Sequence, residues 1–181
     1  MAKLYTGLFG PAVGNVGNLI GGTWKGIPYV RTKPRRREDY VPSPAQQAQQ
    51  QRFKLATSFA QTLTGLLNVS YAPHAIRMTS KNAAISTFLK YAIAGAAPDF
   101  HIVYNRVLIS RGDLPGALDA TAVADGSGVV RCSWAANGGE AMARNSDKAL
   151  IAVHCPALNQ SVYKTAAAER TDGTATINAA A

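Results

Sequence analysis

Val129-Val130-Arg131-Cys132-Ser133-Trp134-Ala135 alternates along its length, with Val130, Cys132 and Trp134 on one side and Arg131 and Ser133 on the other. Successive side chains of an extended strand point to opposite faces, so this pattern predicts a strand with one face in a core. Asp125-Gly126-Ser127-Gly128 before it and Asn137-Gly138-Gly139 after it are turn signals that close it at both ends. The same reading predicts strands at 100–104, 106–110, 149–155, 161–164 and 174–178, with further turns at Arg111-Gly112-Asp113 and Asp172-Gly173. Short strands at this spacing predict an antiparallel β-sandwich of immunoglobulin or fibronectin type over residues 98–181. Ile151, Val153 and Cys155 share a face in 149–155, so Cys132 and Cys155 read first as inert core thiols, with a cross-strand disulfide as the alternative.

Upstream of Pro98 the period is helical. Ser43-Pro44-Ala45-Gln46 combines a capping serine, a proline suited to the first helical position and a glutamine that completes a capping box. Phe53, Ala56, Phe59, Ala60, Leu63, Leu66 and Leu67 then recur at three-to-four spacing, predicting an amphipathic helix to about Leu67. Ser80 caps a second predicted helix, Lys81 to Ala94, which Gly95 and Pro98 end. Residues 43–97 therefore read as a two-helix hairpin, and the class as α+β.

Residues 1–42 are an arm of different character. Gly7, Gly10, Gly14, Gly17, Gly21 and Gly22 are interleaved with apolar residues, which favours irregular or strand-like backbone close to another surface. Between Trp24 and Arg37 stand six cations and no acid: Lys25, Arg31, Lys33, Arg35, Arg36 and Arg37, interleaved with the rings of Trp24 and Tyr29. Pro28 and Pro34 predict an extended or polyproline-like strip. Such a strip can follow a phosphate backbone while its rings stack on bases, or it can be a solvated linker.

The charge is unevenly placed. Twelve cations face two acids before Asp99, and seven face eight from Asp99 onward, so the basic half is the one expected to meet a polyanion or an acidic surface. A hydrophobic fraction of 47% over 181 residues suffices for a core. Two cysteines do not make a disulfide scaffold. The glycine-broken start is a poor signal peptide and no run reads as a membrane span, so the expected location is the cytoplasm or an assembled particle such as a virion.

Several stretches carry a resemblance. They are Val16-Gly17-Asn18, Trp24-Lys25-Gly26 with Val30-Arg31, Gln50-Gln51-Arg52-Phe53, Tyr104 to Gly112, Leu114 to Ala117, Ser133-Trp134 and Asp147 to Leu150. With them the chain resembles an uncharacterised family of Bacteroidota proteins, a domain of unknown function. The resemblance implies one or two further strands after the alanine-threonine segment. A closing strand is then either absent here or supplied by another subunit. It implies no activity.

Enzyme signals are weak. His74, His101 and His154 are scattered without zinc-ligand spacing, and His154 and Cys155 are adjacent on a strand and so point to opposite faces. The glycines match neither a phosphate-binding loop nor a dinucleotide fingerprint, and no cofactor is expected. The first expectation is a non-enzymatic assembly protein, such as a virus or phage component, whose basic arm binds neighbouring subunits or nucleic acid. The alternatives are a ribosome- or chromosome-associated nucleic-acid-binding accessory protein, and a filament-forming sandwich completed by strand addition. A homo-oligomer or larger assembly is expected.

Overall fold

The computed structural model describes residues 3–4, 12–35 and 40–179. The protein is α+β and divides into two compact units, Met1–Ser43 and Pro44–Ala181.

The first unit is an antiparallel sheet of β1 (Lys3–Leu4), β2 (Ala12–Val16), β3 (Leu19–Trp24) and β4 (Ile27–Thr32), in that order. Gly17-Asn18 joins β2 to β3, and Lys25-Gly26 joins β3 to β4. Lys25 (φ 46°) and Gly26 (φ 80°) both take positive φ, the signature of a two-residue turn whose twist matches the strands it joins. Of the extended or polyproline-like strip expected here, the backbone is extended as β4, and the polyproline-like alternative is corrected to a β-hairpin. Proline does not prevent it, because β4 is an edge strand and Pro28 lies opposite Thr23, one step from the pair that closes the turn. That is a non-hydrogen-bonded position, where the missing N–H would have pointed outward.

In the second unit α1 (Pro44–Thr62), α2 (Thr64–Ser70) and α3 (Ser80–Tyr91) bury Phe59, Leu63, Leu66, Leu67, Tyr71 and Phe88 together. Each such side chain withdrawn from water contributes about 1.5–3 kcal/mol. Three helices replace the expected two. The first breaks at Leu63 (φ −113°, ψ 16°), where the Thr64 hydroxyl donates back to Gln61 O at 2.9 Å. Thr79, rather than Ser80, caps α3 by accepting from Asn82 N at 3.2 Å. That helix stops at Tyr91 instead of Ala94, since β5 (Ile93–Ala94) pairs with β6 (His101–Ile102).

Residues 106–110, expected as a strand, form none; Tyr104–Arg106 is a 3-10 turn and 107–110 is loop. The carbonyls of Leu108 and Ile109 instead accept from the Tyr71 and Ser70 hydroxyls, both at 2.7 Å. A strand the alternation did not predict, β7 (Leu118–Ala124), pairs with β8 (Val129–Ala135), which also pairs with β11 (Thr174–Asn178). A second antiparallel pair joins β9 (Ile151–Cys155) to β10 (Gln160–Lys164). Ala152 and Tyr163 on one face of this pair pack against the helical core. Ile151, Val153 and Val162 on the other pack with Val130, Cys132, Trp134, Ala175 and Ile177. Cys132 is half-buried there and burial pushes its thiol pKa up. Cys155 is exposed at the end of β9, which corrects its assignment to the core; both thiols are free. No helix of the described residues is long and apolar enough to cross a membrane.

Candidate nucleic-acid interface

The register of β3 and β4 determines what the first unit presents. Ile20 stands opposite Arg31, Gly22 opposite Tyr29 and Trp24 opposite Ile27. These six alternate positions share one face of the sheet, and Asn15, opposite Ile20 on β2, joins them. Two aromatic rings, a guanidinium and an amide are thus carried on one surface. Trp24 is 53% and Tyr29 44% exposed, so each ring keeps much of its π surface open to a partner.

Gly22 makes this arrangement possible. A β-carbon built on it would lie 2.8 Å from the Tyr29 hydroxyl oxygen and 2.9 Å from the ring carbon bearing it. The ring therefore lies down across Gly22. Tyr29 is held flat on the sheet, and its outer face is the one available for stacking.

Lys25 sits at the tip of the hairpin, one residue from Trp24. Lys33 extends the ladder beyond β4, its N–H donating to Asn18 O at 2.7 Å, and it stands two residues from Arg31 at the same parity. Arg35 follows, exposed. Arg36 and Arg37 lie outside the described residues. The described residues before Pro44 include no acid; Glu38 and Asp39 lie outside the described residues. The structure thus brings Trp24, Tyr29 and Arg31 onto one face and sets Lys25 at its end. The sequence marks Gly22 only as one of the glycines that favour strand-like backbone close to another surface, and nothing local marks Asn15.

The second unit holds a different polar cluster. His154 Nδ1 is 2.8 Å from Ser161 Oγ, which is 2.7 Å from Thr62 Oγ1, and the Thr62 hydroxyl donates to Phe59 O at 2.8 Å. With that proton committed, Ser161 donates to Thr62 and His154 Nδ1–H donates to Ser161. An imidazole that donates to a serine cannot take its proton through the same nitrogen, so this is not the hydrogen-bond order of an activated nucleophile. Phe59 meets the His154 ring edge-on at 4.9 Å between centroids, and burial lowers the imidazole pKa. The cluster joins α1 to β9 and β10.

Among the described residues no group of three His, Cys, Asp or Glu side chains stands close enough to hold a metal ion. A family model described as "Family of unknown function (DUF6266)" matches residues 11–181. No curated protein and no solved structure matches the chain.

Proposed function

We propose, for a chain that belongs to the family of unknown function DUF6266, a non-enzymatic role in binding single-stranded nucleic acid through the exposed face of its N-terminal sheet. The observation that carries this reading is the placement of Trp24, Tyr29 and Arg31 on one face of the sheet, with Lys25 at its end. Aromatic faces stack on unpaired bases, cations track the phosphates, and together they bind strands with little regard to sequence. A duplex hides its bases from rings lying on a sheet, so single strands are the favoured partner. Fluorescence anisotropy with labelled oligothymidylate and with a duplex of equal length tests the reading. Tighter binding of the single strand supports it, and equal or absent binding refutes it.

A second reading rests on a different observation. Both β9 and β7 leave one edge without a strand partner among the described residues. If the C-terminal strands are an immunoglobulin-type sandwich, a strand from another copy added at either edge would complete it and build a larger assembly, such as a particle or a filament. Light-scattering mass of the full chain distinguishes the two. A large nucleic-acid-free assembly favours strand addition, and a monomer that gains mass only with oligonucleotide favours the first reading.

A further inference from the structure

From the pocket bounded by α3 and the loop at Arg111 we infer that the second unit binds a small phosphoryl-bearing anion. Lys90 and Arg111 line one cavity of about 280 Å3 together with His74, Ser86 and Tyr91, and no acid lines it. Ser86 and Lys90 stand four residues apart on α3 and so share a face of that helix. His74 Nε2 donates to Arg111 O at 3.1 Å, which ties the Arg111 loop to the turn at residues 72–74 and fixes the base of the guanidinium-bearing side chain.

Among the described residues Lys90 and Arg111 form no ion pair; the pairs are Arg131–Asp125, Lys148–Glu169 and Arg170–Asp147. Across Pro44 to Asp113 the sequence has seven cations against two acids, Asp99 and Asp113, and neither acid lines the cavity. Unpaired cations around one concavity repel each other, and an anion relieves that repulsion. A guanidinium fork and an ammonium lining one cavity suit a tetrahedral oxyanion, and the Ser86 and Tyr91 hydroxyls are neutral donors on the same lining. The cavity exceeds a bare phosphate, and Met78 and the Tyr91 ring supply an apolar wall for the group that the phosphate is attached to.

The inference does not depend on the N-terminal sheet. Calorimetric titration of the full chain with inorganic phosphate and with phenyl phosphate, at constant ionic strength set by sodium chloride, tests it. Saturable binding is expected, weakened about tenfold or more by Lys90→Gln and by Arg111→Gln, the loss typical of one charge-assisted hydrogen bond. Lys90→Arg should recover much of it, and Trp24→Ala should leave it unchanged. Tighter binding of phenyl phosphate assigns the site to phosphomonoesters, and equal affinity assigns it to free phosphate. No saturable heat with either probe, or affinity indifferent to both glutamine substitutions, overturns the inference.

Discussion

The Tyr29 ring lies across Gly22 on the neighbouring strand, its hydroxyl oxygen 2.8 Å from where a β-carbon on Gly22 would stand. The pair sets the height of the ring above the sheet. Gly22→Val is therefore expected to lift Tyr29 and to weaken oligonucleotide binding nearly as much as Tyr29→Ala does. Removing one stacking ring costs about 1–3 kcal/mol. Tyr29→Phe keeps the ring and should bind close to wild type. Anisotropy titrations of the three variants check the order.

Arg31 and Lys33 act through charge. Replacing either by glutamine is expected to reduce the slope of log affinity against log salt by about 1, since each phosphate contact releases roughly one counterion. Affinity measured across a salt series for each variant reads this directly. Val30→Thr, on the opposite face of β4, is the control and should leave the slope alone.

Stability of the second unit turns on a similar close approach. A β-carbon on Gly65 in α2 would stand 3.0 Å from the ring carbon of Tyr163 that bears the hydroxyl. Gly65→Ala thus sets a gain in helix propensity against overpacking of about 1–3 kcal/mol, and overpacking should win. Urea denaturation should show a lower midpoint for Gly65→Ala, with most of the loss recovered in a Tyr163→Leu background.

His154 makes that stability pH-dependent. Burial lowers its pKa below the ordinary 6.5. Between the unfolded value and the lower folded value the unfolded chain binds more protons, so stability is full above about 6.5 and falls as pH drops through the folded pKa. Denaturation midpoints from about pH 8 to about pH 5 should decline on the acid side. His154→Gln should flatten that decline, and an unchanged profile would assign it to other groups.

The two thiols should separate in reactivity. Cys155 is exposed, whereas Cys132 packs beside Val130 and Trp134 and its pKa is raised by burial. A thiolate-directed alkylating reagent should modify Cys155 in the native protein and reach Cys132 only after unfolding, as mass spectrometry of peptides would show.

Much of this architecture was readable where side-chain period and punctuation agree. Val130, Cys132 and Trp134 alternate as their strand does, and the apolar spacing from Phe53 to Leu67 is helical through both α1 and α2. The break at Leu63 was not legible, because apolar spacing runs on through it. β7 escaped because Leu118-Asp119-Ala120-Thr121-Ala122-Val123-Ala124 is rich in residues of weak strand preference, and its pairing to β8 decides its conformation. Residues 107–110 have strand composition, yet side chains from Ser70 and Tyr71 take two of their carbonyls. At the candidate interface the residue types were legible and their arrangement was not. The prolines left a polyproline-like strip open beside an extended one, whereas Lys25-Gly26 is a turn and Pro28 occupies the one kind of edge position that tolerates it. The anion pocket joins a turn, a helix and a loop distant in sequence, and no local pattern announces it.

The most direct test of the central claim is Trp24 emission. Trp24 and Trp134 are the two tryptophans of the chain, so Trp134→Phe leaves Trp24 as the single reporter. Adding oligothymidylate to that variant is expected to quench Trp24 with the same midpoint as the anisotropy titration, because a base stacks on the indole. Binding with Trp24 emission unchanged, or no binding at low salt, would contradict the account.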